Sequence, residues 1–103
     1  MGSRRTREYE RGEERRSISW GEAPDGCVWV RETSFGPDTR ISFGAAWRET
    51  ALTFQPTDLY DIADVDHAAD SAGDDFFIGD IEDALSLWGI PYRREARMGP
   101  VNP

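Results

Sequence analysis

The chain has 103 residues, a hydrophobic content of 38%, six prolines, ten glycines and one cysteine, a composition typical of a single small domain. Its formal net charge is −8, because 20 acidic residues oppose 12 basic ones, all of them arginine. The lone Cys27 excludes an internal disulfide, and neither a run of about 18 apolar residues nor an apolar leader is present. We therefore expect a cytoplasmic protein with no membrane partner.

Three regions are predicted from composition. Residues 1–16 hold six arginines and four glutamates with almost no apolar side chain, so ordering them would cost entropy without burying surface. We interpret residues 1–16 as a disordered Arg/Glu-rich arm, residues 17–97 as one small α+β domain, and residues 98–103 as a disordered tail.

Strands are predicted where apolar and polar residues alternate with a period of two. Residues 17–20 can begin a sheet, and a Pro/Gly turn at 22–26 precedes a strand at 27–33, which places Val28 and Val30 on one face. The clearest alternation covers 39–47, and it recurs at 52–55. Short connections favour antiparallel order, so a three-stranded meander is expected.

Two helices are predicted to follow the sheet. Thr57 is a candidate N-cap for a helix that runs to Ala69, and Asp80 is a candidate N-cap for a second helix that ends at Gly89. A loop at 71–75, a short buried segment at 76–78 and an optional edge strand at 92–96 complete the interpretation. The predicted fold class is α+β: a three-stranded antiparallel β-meander followed by two short acidic helices.

Motifs for common catalytic and cofactor sites are missing from the sequence, including nucleophile elbows, phosphate-binding glycine loops and paired cysteines. Cys27 with His67 as its base is a weak nucleophile hypothesis, since an isolated cysteine in a strand is more often a small core residue. A calcium loop that starts at Asp64 places Ala69 where glycine is required. We expect no enzyme activity, no cofactor and no metal site of the twelve-residue type.

Trp29 and Arg31 share a strand face with Cys27 in the predicted sheet. An exposed tryptophan beside an arginine is a good anchor for a partner. In a small domain, however, the more common arrangement covers such a tryptophan with helices, and we favour that core position.

Acidic residues are concentrated in one segment. Residues 58–83 contain ten acids and no Arg or Lys, a formal local charge of −10 against −8 for the whole chain. On a helix, a repeat of three residues separates carboxylates by about 4.5 Å, comparable with the roughly 3.4 Å phosphate spacing of one DNA strand. The predicted partner-binding residues are Asp58, Asp61, Asp64, Asp66, Asp70, Asp74, Asp75, Asp80, Glu82 and Asp83.

Such a surface repels nucleic acid and complements a basic protein. We therefore expect a non-enzymatic module that inhibits or masks a basic nucleic-acid-handling protein by phosphate mimicry. In size and acidity the chain resembles the small phage-borne inhibitors of host nucleases, which include anti-CRISPR proteins and other DNA mimics, although this likeness is one of composition alone. The alternatives are an immunity protein against a toxin nuclease, a small divalent-metal-binding protein, an assembly subunit that docks through residues 1–16, or an acidic surface that only reflects a salt-adapted or GC-rich source.

Overall fold

A computed structural model describes residues 4–99, and within this range the chain forms five strands and three α-helices. The strands are β1 (Arg4–Arg11), β2 (Glu14–Glu22), β3 (Val28–Phe35), β4 (Trp47–Phe54) and β5 (Tyr92–Met98). They form one antiparallel sheet in the order β1-β2-β3-β4-β5. The helices are α1 (Pro37–Phe43), α2 (Ile62–Ala72) and α3 (Ile78–Leu87), and a short 3₁₀ turn at Gly73–Asp75 joins the last two.

The predicted three-stranded meander is wrong, although the α+β class and the antiparallel order hold. The sheet gains β1 from the segment interpreted as a disordered arm, and β5 from the optional edge strand, which extends to Met98. The arm is therefore ordered from Arg4 onward, and Met98 does not belong to a disordered tail. Residues 1–3 of the arm and 100–103 of the tail lie outside the described residues.

The arm forms a strand because its alternate side chains have long-range partners that composition cannot reveal. Arg5 lies 2.7 Å from a carboxylate oxygen of Asp66, and Arg7 lies 2.8 Å from one of Asp70, both on α2. The hydroxyl of Tyr9 donates a 3.0 Å hydrogen bond to the carbonyl of Gly73. A hairpin with β2 supplies the backbone hydrogen bonds, so the charged strand is fixed along one side of the acidic helix.

A second correction concerns residues 39–47, where the structure contains α1 instead of a strand. Pro37 occupies the first turn of α1, and Gly44 ends the helix with a left-handed backbone. The carboxylate of Glu14 accepts hydrogen bonds from the amides of Asp38 and Thr39, at 2.9 and 3.4 Å. A distant glutamate thus caps the helix. Because this segment is helical, residues that alternate with a period of two do not share one face, and Ile41 is exposed.

The predicted helix boundaries shift by a few residues. The first helix begins at Ile62 instead of following Thr57, because Asp61 and Asp64 form a capping box in which each side chain accepts an amide hydrogen of the other residue. The second begins at Ile78, and Asp80 lies inside it and accepts the amide of Phe77. Its predicted end is confirmed: Gly89 has a positive φ, and the amide of Ile90 donates to the carbonyl of Leu85.

The hydrophobic core lies between α2, α3 and one end of one sheet face. Alternation along β3 places Val28 and Val30 in this core, as predicted. The indole of Trp20 meets Phe76 edge to face, with ring centroids 5.3 Å apart. The other core residues are Ile18, Leu52, Phe54, Tyr60, Val65, Ala69, Ile78, Ile81, Leu85 and Ile90.

Candidate interaction surface

Six of the ten predicted partner-binding acids make contacts within the molecule. Asp61 and Asp64 form the capping box of α2, and Asp80 accepts the amide of Phe77 at the start of α3. Asp66 accepts the indole N–H of Trp20 at 2.8 Å and pairs with Arg5, while Asp70 pairs with Arg7. The carboxylate of Glu82 accepts a 2.8 Å hydrogen bond from the hydroxyl of Tyr92 and lies 3.5 Å from Arg94. Much of the negative charge is therefore offset by the chain's own amides and arginines.

The other four acids are exposed, and within residues 4–99 their carboxylates make no hydrogen bond or ion pair. Asp58 precedes α2, Asp74 and Asp75 lie in the 3₁₀ turn, and Asp83 lies on α3. The repeat of Asp58, Asp61 and Asp64 does not lie along one helix, because α2 begins only at Ile62. What remains available to a partner is a set of exposed carboxylates before, between and on the two helices.

Tyr60 lies near carboxylates from the first turns of both α2 and α3. Burial is the largest cause that raises the pKa of Tyr60 to about 12, and the negative charges of Asp64 and Asp80 add to it. Both carboxylates therefore act on the same phenol. Acidic groups from the two helices thus lie near one buried side chain.

Sequence reasoning missed a buried ionic cluster on the helix-covered face of the sheet. Glu32 on β3 is 1% exposed and accepts hydrogen bonds from Arg16 at 3.2 Å, from Arg48 at 2.5 Å and from the amide of Ile78 at 3.0 Å. A buried carboxylate needs such partners, because desolvation of an unpaired charge costs several kcal/mol. The cluster attaches α3 to β2, β3 and β4.

Arg16 is the most heavily used member of this cluster. Its guanidinium lies 4.0 Å from the ring centroids of both Tyr9 and Phe77, and it also donates to the carbonyls of Asp74 and Phe76. These contacts hold the 3₁₀ turn against the sheet. They therefore fix the backbone from which the carboxylates of Asp74 and Asp75 project.

A cleft of about 620 Å³ opens beside this turn, between α1 and the start of α3. Its lining includes the aromatic rings of Tyr9, Phe43 and Phe77. Six acids and three arginines also line it: Glu8, Glu10, Glu14, Asp38, Asp74 and Asp75 with Arg11, Arg16 and Arg48. The lining is therefore net negative, and Asp74 and Asp75 lie beside both the cleft and the acidic helices.

The catalytic and metal hypotheses gain no geometric support within residues 4–99. Partial burial and the neighbouring Asp25 raise the pKa of the Cys27 thiol, which disfavours the nucleophilic thiolate. His67 is exposed on α2. No group of three or more His, Cys, Asp or Glu side chains in the described range is arranged to hold a metal ion.

The favoured core position of Trp29 is wrong. Trp29 and Arg31 lie on the sheet face opposite the helices, and the guanidinium carbon of Arg31 is 5.9 Å from the tryptophan ring centroid. Trp29 is only partly buried there.

In the described part of the chain no helix is long and apolar enough to cross a membrane. Comparison with protein families, with curated proteins and with solved structures finds no match.

Proposed function

We propose that this protein is a non-enzymatic cytoplasmic module that binds a basic nucleic-acid-handling protein and masks its nucleic-acid site by phosphate mimicry. The observation that carries the proposal is the segment 58–83, whose ten acids are accompanied by no Arg or Lys. A groove that binds phosphates is lined with Lys and Arg. Exposed carboxylates with no intramolecular partner can replace those phosphates.

The contact is centred on the four exposed acids and not on all ten. Asp66 and Asp70 already face arginines of β1, so they offer less charge to a partner. Asp74 and Asp75 project from a turn that Arg16 and Tyr9 hold in place. Acids on an ordered backbone lose little entropy on binding, which favours a specific complex.

The adjoining cleft adds a site for a basic side chain of the partner. Its lining includes Asp38, Asp74 and Asp75, whose carboxylates can accept hydrogen bonds from a guanidinium. An arginine that enters the cleft exchanges its phosphate contact for carboxylates. An unfolded acidic polymer has no such cleft, so insertion of an arginine would be a contact that only the folded protein can make.

The test measures displacement of a labelled oligonucleotide from a panel of purified nucleases and other basic nucleic-acid-binding proteins. We expect stoichiometric displacement from at least one member, with weaker competition at high salt. The double variant Asp74→Asn/Asp75→Asn should weaken that competition by about tenfold or more, which corresponds to roughly 1.4 kcal/mol. Asp58→Asn/Asp83→Asn tests the other two exposed acids in the same way.

The matched control is Glu22→Gln/Glu95→Gln, which removes the same charge at exposed positions on β2 and β5. This variant should compete like the unaltered protein. If competition falls equally in the control and in the aspartate variants, the effect depends on net charge alone, which would contradict the proposed surface. Failure to displace an oligonucleotide from any panel member would reject the function itself.

A further inference from the structure

The five-stranded sheet has one face that the helices leave uncovered. The register places Trp29, Phe35 and Trp47 on this open face, with Phe35 directly opposite Trp47 in neighbouring strands. Phe35 is 53% exposed and Trp47 is 41% exposed. Two large aromatic side chains thus form an adjacent exposed pair at one end of the sheet.

The charge of the open face differs from that of the rest of the molecule. The register assigns it Arg4, Arg15, Arg31, Arg93 and Arg97 with Glu8, Glu10, Glu49 and Glu95, a net charge of +1. Since the whole chain carries −8, the remainder carries −9. Two copies approaching through their helical sides would repel each other strongly. Approach through their open faces avoids that repulsion.

Most of the open-face charges already pair within the sheet. Arg97 lies 2.6 Å from Glu49, Arg15 lies 3.6 Å from Glu10, and a looser pair joins Arg93 and Glu95. Between these pairs the central strands present small side chains. They are Ser17, Ser19, Gly21, Thr33, Ala51 and Thr53. Small side chains allow a second sheet to come near the usual separation of about 10 Å.

The size of the face matches a small interface. Five strands spaced about 4.8 Å apart and about 24 Å long cover roughly 600 Å² in each copy. Two copies would bury on the order of 1,200 Å² in total, the lower end of specific protein interfaces. Exposed aromatic residues are the side chains that contribute most to such contacts.

We propose that this protein forms a homodimer in which the open sheet faces of two copies pack together, with Phe35 and Trp47 as the anchors. The dimer is a weak one, in keeping with the small area. Its two acidic sides point away from each other. This arrangement does not depend on the proposed function, because the open face and the acidic helices lie on opposite sides of the sheet.

Sedimentation velocity over the micromolar to submillimolar range tests the proposal with the purified full chain. We expect the mean mass to rise toward twice 11.6 kDa with concentration. High salt should preserve or strengthen the dimer, because it screens repulsion between the acidic sides. Phe35→Glu should shift the dissociation constant by at least tenfold toward monomer. Phe35→Ser, which adds no charge, should weaken the dimer in the same direction.

Leu87→Glu is the matched control, since Leu87 is a large apolar side chain that is 79% exposed on α3. This variant should dimerise like the unaltered chain, and circular dichroism checks that all variants are folded. A chain that stays monomeric at the highest concentration overturns the proposal. Loss of dimer in Leu87→Glu but not in the Phe35 variants also overturns it, because the interface would then lie on the helical side.

Discussion

Asp66 accepts the indole N–H of Trp20 at 2.8 Å, so a carboxylate of the acidic helix supports a core side chain of the sheet. Trp20 is almost fully buried. Four residues along α2, Asp70 faces only the partly exposed Arg7. Two neighbouring acids of the same helix therefore have different roles, and a matched pair of substitutions separates them.

Asp66→Ala should destabilise the protein by about 1–3 kcal/mol, because it leaves a buried N–H without an acceptor. Asp70→Ala should change stability by less than about 1 kcal/mol, since exposed ion pairs contribute little. Both substitutions make the same change in helix propensity, so the difference reports the indole contact. Urea denaturation followed by circular dichroism measures it. Equal effects would contradict the assigned role of Asp66.

The cluster around Glu32 gives a second prediction. Glu32→Gln keeps the shape of the side chain but leaves Arg16 and Arg48 without their shared counter-charge. Loss of one partner from a buried ionic cluster costs about 3–5 kcal/mol. Glu49→Gln, which breaks the more exposed pair with Arg97, should cost less than about 1 kcal/mol. Denaturant midpoints that do not differ between the two variants would refute this ranking.

The raised pKa of Tyr60 predicts that the protein loses stability in strong alkali. Its folded-state pKa of about 12 lies above the unfolded value of 10.0, so its contribution is complete below pH 10 and is lost as the pH rises to about 12. Ultraviolet titration should show a late tyrosine ionisation near pH 12. Tyr60→Phe should remove that late step and flatten the stability profile between these pH values. A late step that persists in Tyr60→Phe would assign the shift to another residue.

Two glycines should respond oppositely to alanine. Gly79 lies in α3 with open space around its Cα, so Gly79→Ala should stabilise the helix by about 0.5–1 kcal/mol. Gly36 has a φ of +131°, and an added Cβ would collide with the backbone of Glu13 and Glu14 and with the Glu14 carboxylate. Gly36→Ala should therefore destabilise the chain and loosen α1. Thermal unfolding measures both effects, and a Gly36→Ala midpoint at or above that of the unaltered chain would contradict the close approach.

Local chemistry predicted the elements whose determinants lie within a few residues. The alternation at Val28 and Val30 and the glycine end of α3 at Gly89 are of this kind. β1 and α1 were not predictable in this way, because Arg5 depends on Asp66 and the first turn of α1 depends on Glu14. Both contacts join residues that are distant in sequence.

The candidate site was predictable as a concentration of charge but not as a geometry. Composition cannot tell an aspartate that caps a helix, such as Asp61, from one that faces solvent, such as Asp75. For Glu32, continuing the alternation of β3 from Val30 would have indicated a buried acid. Its partner Arg48 could not be identified in advance. The alternation at residues 39–47 indicated a strand there, whereas the structure has α1 in this region and begins β4 at Trp47.

The sheet order has a consequence for assembly. Strands β1 to β4 pair with their neighbours in chain order. The pairing of β5 with β4, which begins at Tyr92 and Phe54, instead closes a loop of residues 55–91. Closing this long loop is the entropically costliest step of the sheet. We therefore expect β5 to join the sheet last on folding and its amides to exchange first.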